Sequence, residues 1–189
     1  MNRRLEVIAE GGVMLALGLA LAQVRLFQLP SGGSVSLGVL PVVVLAGRRG
    51  WRVGVGVGAL LGLASAALKP FVVHPVQFFL DYPLAYASLG LAGLLAWTTP
   101  ARAAAATLLA SLARLTCHVV AGAVWFAGPA LTWHGALWAG FAYNILHVGP
   151  EALICAGIAA VLAADHPGLV APQGPDGQTP PAGRAVPGP

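Results

Sequence analysis

Long stretches without a charged residue are the feature that most constrains this chain. Runs free of Asp, Glu, Lys and Arg cover residues 26–47, 53–68, 82–101 and 115–150 of the 189. A helix needs roughly 20 apolar residues to cross the ~30 Å hydrocarbon core of a bilayer. With 58% hydrophobic and 8% charged residues, the chain also lies outside the usual composition of soluble proteins. The sequence therefore predicts a membrane protein.

Six helical spans fit these runs. In chain order they cover about residues 6–24, 35–47, 53–68, 79–98, 103–127 and 135–164. The alternation of apolar and polar residues that is typical of a transmembrane β-barrel is absent. Gly and Pro occur inside the spans, where neighbouring helices can satisfy the backbone groups that they free. We expect an all-α membrane protein, a bundle of six transmembrane helices.

The basic residues of the loops favour one orientation of the bundle. One end carries Arg3, Arg4, Arg48, Arg49, Arg52 and Arg102, and the other carries Arg25 and Lys69. Because cytoplasmic loops are enriched in Lys and Arg, we expect both termini to be cytoplasmic. Loops 25–34, 69–78 and 128–134 then face outward. The net charge of +4 follows from this arrangement, and no basic cluster indicates nucleic-acid binding.

The composition changes near the C-terminus. Residues 1–165 are expected to form one transmembrane domain, whereas residues 166–189 are rich in Pro and Gly and have almost nothing to bury. We expect this second part to be a disordered cytoplasmic tail. Cys117 and Cys155 lie inside predicted spans without a metal-ligand spacing, so we read them as packing residues. No metal site and no cofactor is predicted.

Few polar side chains lie inside the predicted spans, and each is unfavourable there unless it has a partner or a hydrated cavity. They are Asp81, Arg114, His118, Asn144, His147 and Glu151. Helical spacing places Arg114, His118, Gly122 and Trp125 on one face of the fifth span, at i, i+4, i+8 and i+11. Each polar residue is therefore a candidate functional residue.

Three of the spans bring candidate binding residues to the outer half of the bundle. These are Asp81 and Tyr82 of the fourth span, His118 and Trp125 of the fifth, and Tyr143 and Asn144 of the sixth. If they converge, they form a pocket with a carboxylate, an imidazole, an amide and several aromatic rings. A carboxylate balances positive charge, aromatic faces stack on flat rings, and an amide both donates and accepts hydrogen bonds. Such a pocket suits a flat, cationic, nitrogen-rich heterocycle.

Structural roles remain open for the charged members of this set. Asp81 could cap the fourth helix or pair with Arg114, since helix N-termini favour acidic groups. Arg114 and Glu151 could neutralise each other. In these alternatives the charges support the fold and contact no ligand.

The other members also have alternative roles. His118 could be a packing residue, Trp125 an aromatic of the membrane interface, and Tyr143 with Asn144 a link between helices. A remote alternative is an intramembrane enzyme that uses Asp81 and His118 as acid and base. Since no paired carboxylates, metal-ligand cluster or activated nucleophile accompanies these residues in the sequence, we predict no enzymatic activity.

The first span has a different pattern, with small residues every four positions at Gly12, Ala16 and Ala20. A row of small residues lets another helix approach closely. It either packs inside the bundle or docks a separate membrane subunit.

Four stretches together resemble a known family. They are PSGGSVSLGVLPVVVLAGRRG at 30–50, HPVQFFLDYPLAY at 74–86, HVVAG at 118–122 and the Tyr-Asn pair at 143–144. With the six spans and the cytoplasmic RRG turn, they are similar to the thiamine-specific substrate-binding (S) components of energy-coupling factor (ECF) transporters. The resemblance extends over about residues 5–160.

The resemblance implies a function in vitamin uptake. It implies a bundle in the bacterial plasma membrane that captures thiamine from outside and associates with a transmembrane coupling subunit and two ATPase subunits. The chain has no GxxxxGK[ST] loop, so the energy must come from those partners. An alternative within transport is an S component for another vitamin or for a pyrimidine precursor of thiamine.

The family's binding residues can be carried over one by one. The resemblance implies ligand contacts for Asp81, Tyr82, His118, Trp125 and Asn144, and it implies docking of the coupling subunit at Ala16 and Ala20. Two departures stand out. Asp81 is one methylene shorter than the Glu found in relatives, and Phe126 competes with Trp125 as the stacking aromatic. Residues 32–34 suit a mobile lid.

Overall fold

The computed structural model describes residues 2–29, 33–129 and 131–173, and most of them are helical. Two helices are composites. Helix α4 covers residues 75–94, and helix α5 ends in a π-helical turn at Gly122–Phe126. In chain order the elements are α1 (Arg3–Gln23), β1 (Phe27–Gln28), β2 (Ser34–Val35), α2 (Leu40–Arg49), α3 (Trp51–Leu68), α4 (75–94), α5 (Pro100–Phe126), α6 (Trp133–Asp165) and α7 (Pro167–Val170).

Four of these helices, α1, α3, α5 and α6, are long and apolar enough to cross a membrane. The expected all-α membrane protein is therefore confirmed. Helix α2 has 10 residues and covers only about 15 Å at 1.5 Å per residue, roughly half of the hydrocarbon core. It begins five residues later than predicted, because Ser34 and Val35 pair with β1 in a short antiparallel hairpin.

Helix α4 also differs from the predicted span. It begins at Pro75, four residues early, because the His74 ring accepts a hydrogen bond from the backbone N–H of Val76 and so caps the helix. Asp81 is therefore not the cap. Pro83 lies inside a π-helical turn, Leu80–Leu84. Proline has no N–H to donate to the ladder, which explains the local change of helical type.

Helix α2 forms the centre of the bundle despite its length. Seven of its residues are buried, and Val42, Val43 and Leu45 are fully enclosed. They pack against α3, the 3₁₀ part of α4 at Ser88–Leu94, and the Cys155 region of α6. The second predicted span is thus a buried core element, held between longer helices that face the lipid.

One end of the bundle is held together by ion pairs. The Glu10 carboxylate of α1 lies 2.6 Å from Nε of Arg48 and 2.5 Å from Nη2 of Arg49 at the end of α2. Nη1 of Arg48 donates to the carbonyl oxygen of Gly168 at 2.8 Å, and Val170 beside it is fully buried. The chain after α6 therefore packs on α2 up to residue 173. The rest of the predicted tail lies outside the described residues.

Close packing of α3 on α4 gives the first prediction. A Cβ at Gly58 would meet the backbone carbonyl of Tyr86, whereas a Cβ at Gly56 would meet no atom within 4 Å. Gly58→Ala should lower the unfolding free energy by about 1–3 kcal/mol, since the backbone must shift. Gly56→Ala, the matched control, should leave it unchanged or raise it by up to ~1 kcal/mol through helix propensity. Thermal unfolding in detergent measures both, and equal melting temperatures would contradict the packing.

Candidate functional site

A cavity of about 900 Å³ opens at the end of the bundle opposite the Glu10 ion pairs. Its wall combines the C-terminal ends of α1, α3 and α5 with the N-terminal parts of α4 and α6. Six of the seven predicted ligand-binding residues line it, namely Asp81, Tyr82, His118, Gly122, Tyr143 and Asn144. The structure therefore brings together residues that the sequence separates by more than 60 positions.

Asp81 is held in the wall of the cavity by two side chains. One of its carboxylate oxygens lies 2.8 Å from Nδ1 of His118, and the other accepts a hydrogen bond of 2.7 Å from Nε2 of Gln77. An ionised carboxylate only accepts, so Nδ1 of His118 carries the hydrogen. Nε2 of His118 is buried and has no hydrogen-bond partner within the described ranges. Its hydrogen-bonding capacity is therefore unused in the described structure.

Asn144 joins α5 and α6 at the cavity. Its side-chain nitrogen donates to the carbonyl oxygens of His118 at 3.2 Å and Gly140 at 2.9 Å. This network assigns the amide orientation, because both partners are acceptors. A Cβ at Gly122 would lie 3.1 Å from Cα of Gly140 and 3.4 Å from Nδ2 of Asn144. Gly122 therefore allows the two helices to approach closely enough for the Asn144 contacts.

Tyr82 supports the cavity wall through hydrogen bonds to the backbone that the sequence did not indicate. Its hydroxyl accepts from the N–H of Phe71 at 2.9 Å and donates to the carbonyl oxygen of Lys69 at 3.2 Å. The hydroxyl thus holds the segment between α3 and α4, and the rest of the side chain lines the cavity. Tyr82 links the outer segment to α4.

The structure differs from the sequence interpretation at the aromatic position of α5. Phe126 lines the cavity and stacks on Phe71 with ring centroids 5.6 Å apart. Trp125, the residue favoured from the sequence, stacks on His74 at 5.3 Å and is not part of the cavity wall. The cause is the π-helical turn at Gly122–Phe126, which advances the helical register by one residue.

The inner end of the cavity contains a buried ion pair. Arg114 of α5 donates to Glu151 of α6, and the two side chains are 7% and 3% exposed. The Arg114 guanidinium also lies 4.8 Å from the centroid of the Tyr86 ring. Ser36, after the hairpin, donates its N–H and hydroxyl to the other oxygen of Glu151 at 3.3 and 3.1 Å. The alternative in which Arg114 and Glu151 neutralise each other is the observed one.

The hairpin contributes a further part of the wall. Gly33, with φ of +74°, lies against the ring of His147 at the cavity, and Ser34 belongs to β2. Gly32, the first residue of the predicted lid, lies outside the described residues. The lid itself stays a prediction.

Several wall residues were not expected to bind or orient a ligand. Gln77 could have been found, because it precedes Asp81 by four residues and so shares its helical face. Tyr86 follows Tyr82 by four residues and carries the same kind of signal, whereas Ser36 and Phe71 carry none.

The wall combines groups that can bind an organic cation with the basic side chains of Arg25 and Lys69. Across the described part of the chain, no group of three His, Cys, Asp or Glu side chains is placed to hold a metal ion. Asp81 supplies negative charge, Phe126 and Phe71 supply aromatic faces, and His118 and Asn144 supply hydrogen-bonding groups. Glu151 is already compensated by Arg114.

Ala16 and Ala20 lie on α1 and are not part of this wall. Both are exposed, as is Gly12, whereas Gly11 and Gly18 on the opposite face are buried against the bundle. The row of small residues therefore does not pack inside the bundle, and its face is open to a partner or to lipid.

Related proteins are found along nearly the whole chain. A family model described as thiamine transporter protein matches residues 8–171. The thiamine transporter ThiT of Bacillus subtilis is 30% identical over 184 residues, 89% of this chain and 96% of that protein. ThiT of Lacticaseibacillus paracasei is 31% identical over 97 residues, 49% of this chain and 48% of that protein. A solved structure of ThiT from Listeria monocytogenes has the same fold, with a TM-score of 0.77 and 24% identity over 89% of this chain and 99% of that one.

The buried ion pair gives the second prediction. Glu151→Leu leaves the Arg114 charge buried without compensation, and Arg114→Leu does the same to Glu151, so each should lower the unfolding free energy by about 3–5 kcal/mol. The double variant Arg114→Leu/Glu151→Leu should be more stable than either single variant. Asp165→Leu, at an exposed acidic position, is the control. Unfolding in detergent measures all four, and additive losses in the double variant would contradict the pairing.

Proposed function

We propose a function for this chain on the basis of its family, since it belongs to the thiamine transporter protein family. As a member with several apolar helices, it is a multi-pass protein of the plasma membrane. We infer that it binds thiamine from outside the cell and delivers it through an ECF transporter complex, without catalysing a reaction. The ATPase activity then belongs to two partner subunits.

The observation that carries this proposal is the Asp81 carboxylate in the cavity wall. Thiamine has a permanently cationic thiazolium ring and a flat aminopyrimidine ring. Since Glu151 is compensated by Arg114, Asp81 is the acidic group left to balance a ligand cation among the described lining residues. A cation that is removed from water is bound favourably when a carboxylate and aromatic faces both contact it.

The hydrogen-bonding groups suit the second ring of the ligand. Nε2 of His118 is an acceptor when Nδ1 donates to Asp81, and Oδ1 of Asn144 is an acceptor when its nitrogen donates to the backbone. An exocyclic amino group offers the matching donors. We assign the stacking role to Phe126 and count Tyr82, Gly122 and Tyr143 among the groups that shape the site.

Charge distribution supports the proposed topology of six spans with both termini in the cytoplasm. Arg48 and Arg49 lie at the end of the bundle opposite the cavity, together with the N-terminal half of α1 and the segment after α6. By the positive-inside rule this end is cytoplasmic, and the cavity opens outward. A cavity on the outside is what capture of an external vitamin requires.

Titration of the purified protein with thiamine, its hydroxymethylpyrimidine precursor and riboflavin tests the proposal. Binding is followed by calorimetry and by tryptophan fluorescence. Thiamine should bind at micromolar concentration or below, without being converted. If only the pyrimidine or riboflavin bound, the chain would serve another vitamin, and conversion of thiamine would indicate an enzyme.

The third prediction concerns the carboxylate. Asp81→Asn keeps the size of the side chain but removes the charge, so it should weaken thiamine binding by about 1–3 kcal/mol through loss of a charge-assisted contact. Asp165→Asn, at an exposed position on the far end of α6, should bind like the unmodified protein. Calorimetry measures both, and unchanged affinity in Asp81→Asn would remove Asp81 from the site.

The fourth prediction concerns the coupling subunit. We propose that it docks on the exposed small residues of α1, so Ala16→Trp should abolish cellular thiamine uptake while purified protein still binds thiamine. Leu17→Trp is the control, because residue 17 is also exposed but lies about 100° further round the helix. Normal uptake by Ala16→Trp would make this docking assignment wrong.

A further inference from the structure

Gln77 is a buried polar residue of α4 whose whole side-chain amide is engaged. It is 1% exposed. Its nitrogen donates to Asp81 at 2.7 Å and to the carbonyl oxygen of Phe71 at 3.1 Å, and its oxygen accepts from the N–H of Val73 at 3.1 Å. A buried amide with all these bonds is stabilising. Its removal would leave three partners without these partly buried hydrogen bonds.

The segment that Gln77 holds forms the rim of the cavity. Residues 69–73 have no regular secondary structure, and two α4 side chains, Gln77 and Tyr82, bond to their backbone. Phe71 in this segment stacks on Phe126, so its position decides where an aromatic wall of the cavity lies. Gln77 therefore fixes part of the wall without being an aromatic or charged group itself.

Gln77 also fixes the direction of the carboxylate. One oxygen of Asp81 is held by His118 on α5 and the other by Gln77 on α4. With a single partner, the carboxylate could rotate about its terminal torsion, which is broad for Asp. With two partners, its remaining lone pairs point in one direction before a ligand arrives, which reduces the ordering that binding requires.

We infer that Gln77 is a positioning residue that preorganises the Asp81 carboxylate for an organic cation, its bonds to Phe71 and Val73 holding it in place for that role. The inference rests on the proposed function, in which that cation is thiamine. Gln77 acts through Asp81, so its effect on affinity depends on the charge at position 81. A residue that only supported the fold would weaken binding equally with Asp or Asn at that position.

A double-mutant cycle with calorimetric thiamine titration tests this dependence. Gln77→Met keeps the length of the side chain and removes its hydrogen bonds, and should raise the Kd about tenfold. In the Asp81→Asn background, the same substitution should raise it less than about threefold. Thr107→Val, which removes a buried hydrogen bond to Ala103 away from the cavity, should leave the Kd unchanged. Equal losses in both backgrounds would overturn the inference.

A second variant and a measurement on ligand-free protein give two further tests of the inference. Gln77→Glu retains the acceptor for Val73 but turns a carboxylate oxygen toward Asp81, so it should also weaken thiamine binding at neutral pH. Hydrogen exchange of the Val73 amide in ligand-free protein should be about tenfold faster in Gln77→Met. If the unmodified protein did not bind thiamine, the proposed function would fail. Unchanged exchange at Val73 would instead overturn the role of Gln77.

Discussion

The ion pair between Arg114 and Glu151 is the interaction on which the rest of the site depends. It joins α5 to α6 in the middle of the bundle, and Ser36 extends it to the hairpin. A charge in a low-dielectric interior is strongly unfavourable unless it is compensated. Because Glu151 compensates Arg114, the Arg114 guanidinium does not compete with a ligand cation for Asp81. The negative charge of Asp81 thus remains directed to the cavity.

The two π-helical turns occur where the helices contact the cavity. These turns, Leu80–Leu84 and Gly122–Phe126, carry Asp81 and Phe126 respectively. A π turn advances the register by one residue and so redirects the side chains that follow it. In α4 the cause is Pro83, which cannot donate to the helical ladder. The strand-like hairpin and the 69–73 rim complete a wall that regular helices alone would not close.

Six of the seven predicted ligand-binding residues line the cavity, because helical spacing is a local property. Arg114, His118 and Gly122 follow one face of α5 at four-residue intervals, and the structure keeps them on that face. The same spacing, extended to i+11, also predicted that Trp125 lies on this face, but Trp125 is not part of the cavity wall. The apolar pattern does not reveal the π-helical turn at Gly122–Phe126, which places Phe126 in the cavity wall. Gln77 was missed although its spacing from Asp81 is a local signal.

The sequence by itself determined the membrane environment, the helical class and the family, and it predicted six residues that line the cavity. These follow from hydrophobicity, charge placement and short motifs, which are properties of neighbouring residues. The tertiary structure decided the partners: Asp81 with His118 and Gln77, and Arg114 with Glu151. The two inter-helix pairs each join residues 37 positions apart. Since such choices depend on how helices rotate and pack against each other, periodicity along one helix cannot specify them.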